Sequence, residues 1–158
     1  DIAVRMWTRS VDVADVINAT HRNPRHLPDV ELAGVTASAS FEDSLRGADA
    51  AIFVCPSSYL RSIAMSCAPF IASDLPGIEA QTGFTMVELL EDVLCNPSRI
   101  ACLSGPNHAE EVSRGLPAAT VVASSDKACS LYFQDLFNTS TFRVYTTSDV
   151  TGVELCAA

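Results

Sequence analysis

Short apolar runs alternate along the whole chain with segments of helical spacing, and that alternation restricts the fold more than any single motif. Ile2–Trp7, Val35–Ser38, Ala50–Val54, Ile100–Leu103, Thr120–Ala123 and Phe142–Thr146 read as strands. Between them, Val11–Ala19, Ser58–Cys67, Thr85–Leu94 and Asp126–Phe137 carry the spacing of helices. Ser10, Ser40 and Asp149 stand where N-caps belong, and Gly47 ends the helix that starts at Ser40-Phe41-Glu42-Asp43. Ala50–Val54 and Ile100–Leu103 are apolar throughout rather than alternately polar, so both of their faces must be covered. The prediction is an α/β domain, a largely parallel sheet with helices on both sides.

At 158 residues and 48% hydrophobic, the chain can bury one ordinary core, and a single domain is the default. Its formal net charge is −9, with nine arginines and the single lysine Lys127. That balance argues against a nucleic-acid surface, which needs clustered positive charge. Small anions are not excluded, because a few local cations can hold a phosphate on an acidic protein. The six cysteines, Cys55, Cys67, Cys95, Cys102, Cys129 and Cys156, have no CxxC spacing and fall mostly in apolar runs. They read as buried thiols of a reducing compartment, with no metal site and no disulfide framework. No apolar run reaches membrane-spanning length and no signal peptide is visible, so a cytoplasmic protein is expected.

One segment carries more chemistry than the rest. After the strand Ile100–Leu103, Gly105 and Pro106 break the chain, Asn107 can cap a new helix, and Glu110 completes an Asn-x-x-Glu capping pattern. A helix start delivered by a glycine turn turns backbone N–H groups outward, toward an anion or polar ligand. An ordinary strand-to-helix turn has the same local pattern.

The wording of this segment, Leu103–Val112 (LSGPNHAEEV), resembles the signature of bacterial NAD(P)-dependent glycerol-3-phosphate dehydrogenases. Thr20–Val30 (THRNPRHLPDV), Val54-Cys55-Pro56-Ser57, Gly77–Gly83 (GIEAQTG) and Phe142–Leu155 (FRVYTTSDVTGVEL) resemble the same family in the same order. The resemblance implies a Rossmann-like, doubly wound dinucleotide-binding domain over residues 1–147. Residues 148–158 would then begin a helix leading to an all-helical C-terminal domain that is absent. Three family features have no counterpart: the first βα unit with its Gly-x-Gly-x-x-Gly turn, a central strand ending in a Thr-Lys pair before Gly77, and a catalytic lysine beyond the Gly-Val-Glu-Leu segment. Lys127 matches neither family lysine. The chain therefore reads either as a truncated sequence or as joined pieces of a longer one, and the second is preferred, since a deleted central strand would leave unpaired backbone groups in the sheet.

By resemblance, the complete enzyme reduces dihydroxyacetone phosphate to sn-glycerol 3-phosphate with NADPH or NADH for phospholipid synthesis, often as a homodimer. No catalytic residue is assigned within this chain. Arg9, at the tip of the first strand, would meet a 2′-phosphate and tilt preference toward NADPH. Ser10, where relatives often carry a second arginine, would weaken that preference. His26, Pro56 and Ala109 are further cofactor-contact candidates. Gly105 and Asn107 match the family's substrate contacts; for Asn107 the cap and ligand roles compete, and ligand contact is preferred. His108 is expected to pack or cap rather than act as a base. Glu154 reads equally as a site residue or a solvated charge. The alternatives kept open are a catalytically incomplete nucleotide-binding or interaction module, and a related hydroxyacid dehydrogenase.

Overall fold

Asn18 shows how the N-terminal part of the chain is held. In the computed structural model, which describes residues 2–71, 77–79 (backbone), 86–94 and 99–156, two parallel strands pair from Val4↔Val35 to Trp7↔Ser38. They are β1 (Val4–Trp7) and β2 (Val35–Ser38), joined through helix α1 (Val11–Thr20). The Asn18 amide, in the last turn of α1, grips β2 by both backbone groups of Ala37. Its Nδ2 donates to the Ala37 carbonyl at 2.9 Å and its Oδ1 accepts from the Ala37 N–H at 2.7 Å. Those groups would otherwise be free on a strand edge. On the same helix, Ala14 and Ile17 bury against Ala37, with Met6, Val13 and Leu32 around them.

Ser10 precedes α1 without capping it through its side chain; instead its carbonyl accepts from the Thr8 hydroxyl at 2.7 Å. Ser40 does cap helix α2 (Phe41–Leu45), accepting from the Asp43 N–H, and Trp7 stacks on Phe41 with ring centroids 4.3 Å apart. Residues 1–48 form one compact unit and residues 49–158 a second.

The second unit holds a five-stranded sheet in the order β3-β4-β5-β6-β7. Its strands are β3 (Ala51–Phe53), β4 (Gly77–Glu79), β5 (Ile100–Ser104), β6 (Ala118–Ala123) and β7 (Phe142–Thr147). The helices are α3 (Ser57–Cys67), α4 (Met86–Leu94), α5 (Ala109–Ser113), α6 (Lys127–Phe137) and α7 (Val150–Cys156). Among the described residues all pairs of this sheet are parallel except β5 with β6. The exception has a geometric cause. The five residues of α5 rise only about 7–8 Å, too short to carry the chain back along β5, so it re-enters the sheet from the end it left.

The expected gap in the centre of the sheet is corrected. Gly77–Glu79 is itself a short strand, pairing with β3 on one side and β5 on the other. Asp74–Pro76, Thr85, Cys95 and the last two residues lie outside the described residues.

On one face of this sheet Ala101, Val122 and Val144 pack against Cys129 and Phe133 of α6, flanked by Leu103, Leu136, Phe137 and Phe142. Ile100 and Cys102 alternate to the opposite face and are also buried, with α4 and α7 packed on β5. The outer strand β7 is treated as β2 is. Gln134 Nε2 donates to the Val144 carbonyl at 2.7 Å, and Asn138 Oδ1 accepts from the Val144 N–H at 3.2 Å. In both βαβ units an amide at the end of the crossover helix satisfies the outer edge of the strand it feeds.

Replacing Asn18 with Ala removes two such hydrogen bonds and should lower stability by about 1–3 kcal/mol. Urea unfolding should show a lower midpoint at unchanged slope. An unchanged midpoint would mean that water replaces the amide without loss.

Candidate functional site

The carboxyl ends of β3 and β5 share one edge of the sheet, because both run parallel to β4 between them. Pro56 follows β3 as the residue preceding α3 and is exposed. Gly105, Pro106, Asn107, His108 and Ala109 follow β5, so four of the predicted contacts (Pro56, Gly105, Asn107 and Ala109) lie along the same edge. This is where ligands sit in open α/β sheets.

The loop after β5 is tied to β6 by a buried hydroxyl. Thr120 is 1% exposed; its Oγ1 donates to the Ser104 carbonyl at 2.9 Å and accepts from Asn107 Nδ2 at 3.0 Å. Gly105 lies so close to β6 that a Cβ there would stand 2.8 Å from the Ala119 carbonyl oxygen and 2.8 Å from Thr120 Cα. Only glycine fits without displacing the loop. The turn closes on itself through the Asn107 N–H, which donates to the Gly105 carbonyl at 2.8 Å.

The capping role foreseen for Asn107 is therefore corrected. Its amide is taken by Thr120, and α5 begins two residues later with His108 at the cap position and no side-chain cap bond. Without that cap the Asn-x-x-Glu pattern has no capping function, and α5 is too short to present a helix-end site. His108 is exposed, as is Ala109.

In the first unit, Arg9 is exposed just past β1, and its guanidinium forms no hydrogen bond or ion pair among the described residues. Ser10 adjoins it at the start of α1. His26 is exposed in a loop braced by Asn23, whose Oδ1 accepts from the N–H groups of Arg25 and His26 at 3.1 and 3.3 Å. That brace does not involve the imidazole.

Lys127 opens α6 after β6. Since β6 is antiparallel to β5, Lys127 stands at the edge opposite Asn107, near Ser124, whose hydroxyl donates to the Ile100 carbonyl at 2.7 Å. It cannot serve the loop after β5.

Glu154 of α7 is neither a solvated charge nor part of that loop. Its Oε1 accepts from the Val87 N–H at 3.0 Å, capping the start of α4 across the fold. Local reading could not find it, because cap and helix are far apart in sequence. Burial pushes the Glu154 carboxyl up, the Val87 and Met86 N–H groups pull it down, and Glu88 and Glu91 push it up again. Burial and Glu88 raise Glu91 as well.

Among the described cysteines, Cys67, Cys102 and Cys129 are buried, Cys55 is half-buried and Cys156 is exposed. Burial pushes the Cys67 thiol up to about 11, which makes it a poor nucleophile. Among the described residues no cluster of His, Cys, Asp and Glu could hold a metal, and no helix is long and apolar enough to cross a membrane.

A largely parallel α/β sheet with a glycine-pinned loop at its carboxyl edge defines the Rossmann-like class of dinucleotide-binding domains. Residues 2–130 match the family described as "NAD-dependent glycerol-3-phosphate dehydrogenase N-terminus", and the chain belongs to that family. It is 41% identical to glycerol-3-phosphate dehydrogenase [NAD(P)+] of Streptomyces griseus, covering 98% of this chain and 48% of that protein. With the enzyme of that name from Syntrophomonas wolfei it is 38% identical, covering all of this chain and 49% of the relative. The chain thus spans about half the length of these curated relatives. Among solved structures, the glycerol-3-phosphate dehydrogenase of Coxiella burnetii superposes with a TM-score of 0.86 at 29% identity, over 98% of this chain and 49% of that one.

The Glu154 carboxyl is raised in the folded state, so the folded chain takes up its proton at a higher pH than the unfolded chain does. Stability should therefore rise as pH falls through the folded-state value toward the ordinary carboxyl range. Glu154→Gln keeps an acceptor oxygen but removes the proton uptake, so its stability should rise less over the same interval. Parallel stability–pH curves for parent and variant would contradict this account.

Proposed function

We propose that this chain is the dinucleotide-binding half of an enzyme that reduces dihydroxyacetone phosphate to sn-glycerol 3-phosphate with NADPH or NADH. The observation that carries the reading is family membership over residues 2–130, together with the loop after β5 whose Gly105 admits no side chain. Bound nicotinamide would supply the hydride. The protein's part is to hold the carbonyl against it and to deliver a proton to the forming alkoxide. Gly105 and Asn107 are proposed as substrate contacts, and Pro56, Ala109 and His26 as cofactor contacts.

The donor chemistry of Arg9 fits a nucleotide phosphate: an exposed guanidinium past the end of β1, with no partner among the described residues to compete for it. NADPH is therefore the proposed preference, tempered by Ser10, which adds no charge beside it. The enzyme is proposed to be cytoplasmic, to serve phospholipid synthesis and to work as a pair of subunits. Lys127 lies at the wrong edge of the sheet to donate the proton, so the chain on its own should not turn over.

Two measurements test this reading. The complete protein that carries this chain should oxidise NADPH on addition of dihydroxyacetone phosphate, while the chain alone should not. Activity from the chain alone would show that a proton donor lies within it and would overturn this reading. In the complete protein, Arg9→Ala should raise the KM for NADPH about tenfold or more, since a charge-assisted bond is lost, and leave NADH nearly untouched. Equal effects on both cofactors would make Arg9 a surface charge.

A further inference from the structure

We propose that Thr120 is a positioning residue that fixes Asn107 as an acceptor for a ligand hydroxyl, so that Asn107 reads the hydroxyl end of a polyol phosphate rather than its phosphate. The proposal rests on the dehydrogenase reading above and specifies what its substrate loop recognises.

The argument turns on a single proton. A threonine hydroxyl has one hydrogen to donate and lone pairs to accept with. Thr120 is buried, and its hydrogen is committed to the Ser104 carbonyl at 2.9 Å. Toward Asn107, 3.0 Å away, it can then only accept, and the amide must present its Nδ2. That choice sets the whole side chain: with Nδ2 on Thr120, Oδ1 turns the other way. Among the described residues no hydrogen bond is made to Oδ1, although Asn107 is half-buried. The loop has no slack to change this. Gly105 is wedged against Ala119 and Thr120, and the Asn107 N–H is spent on the Gly105 carbonyl.

A lone amide oxygen on a rigid loop calls for a donor. Phosphate oxygens at neutral pH mainly accept, and facing Oδ1 they would be repelled. A hydroxyl of glycerol 3-phosphate or of dihydroxyacetone phosphate can donate. Thr120 touches no ligand in this scheme; it acts by choosing which end of the amide the ligand meets.

The experiment has two readouts. The first uses the isotope-labelled complete protein and follows the Asn107 side-chain amide by NMR, with the Val122 and Val144 methyls reporting the fold. Thr120→Ser should keep the Asn107 resonances near their parent positions. Thr120→Val, which keeps the buried volume but removes the hydroxyl, should move them to those of a free amide while the valine methyls stay in place. Unmoved Asn107 resonances in a folded Thr120→Val protein would overturn the proposal.

The second readout uses the complete protein and compares inhibition by glycerol 3-phosphate with inhibition by propyl phosphate, which keeps the phosphate and lacks the hydroxyls. The parent and Thr120→Ser should favour glycerol 3-phosphate by about tenfold, one hydrogen bond's worth. In Thr120→Val that preference should collapse, with the KM for NADPH unchanged. Equal loss of affinity for both compounds would mean that Asn107 holds phosphate, and would overturn the hydroxyl assignment. A parent protein that binds neither cofactor nor glycerol 3-phosphate would sink the dehydrogenase reading and the hydroxyl assignment together, while the amide resonances would still decide whether Thr120 orients Asn107.

Discussion

The Thr120 hydroxyl is the point on which the second unit turns. It lies where the only antiparallel pair of the described sheet begins, and it joins the last residue of β5 to the loop beyond it. A buried hydroxyl without partners would cost on the order of 1–3 kcal/mol. Both partners it has come from the segment between Ser104 and Asn107. The demand to satisfy one polar atom in the core therefore dictates the conformation of the loop at the sheet's edge. Gly105 follows from the same constraint, since the loop approaches β6 too closely for any Cβ.

A related economy governs the strand edges. Asn18 on Ala37, and Gln134 with Asn138 on Val144, close the outer backbone groups of β2 and β7 with amides from the helix before each strand. Each helix is thereby fixed along its strand by directional bonds as well as by its apolar face. The apolar faces alone, Ala14 and Ile17 in α1 or Cys129 and Phe133 in α6, would tolerate sliding. The amides do not.

Most of the fold was legible because it rests on local pattern. The strand Val35–Ser38 begins and ends where the sequence pattern placed it, and Ser40 and Asp149 cap as their positions imply, Asp149 by accepting from the Gly152 N–H, whereas Ser10 does not cap through its side chain. What escaped was decided by contacts remote in sequence. Asn107 has the composition of a helix cap, yet a hydroxyl on the neighbouring strand takes its amide first. Glu154 looked undecided because the helix it caps lies far back along the chain. Gly77–Glu79 is too short a run to show periodicity, and only its place between β3 and β5 makes it a strand. Around the candidate site, the sequence singles out Gly105 and Asn107 as residues. It leaves open the orientation of the Asn107 amide, because that depends on which partner holds the single proton of Thr120.

The most direct test of this account is a crystal structure of the complete protein with glycerol 3-phosphate bound. The account predicts Asn107 Nδ2 still on Thr120 Oγ1, with Asn107 Oδ1 within hydrogen-bonding distance, about 3 Å, of a ligand hydroxyl. A structure with the phosphate seated on Asn107 Nδ2 and the bond to Thr120 broken would contradict it.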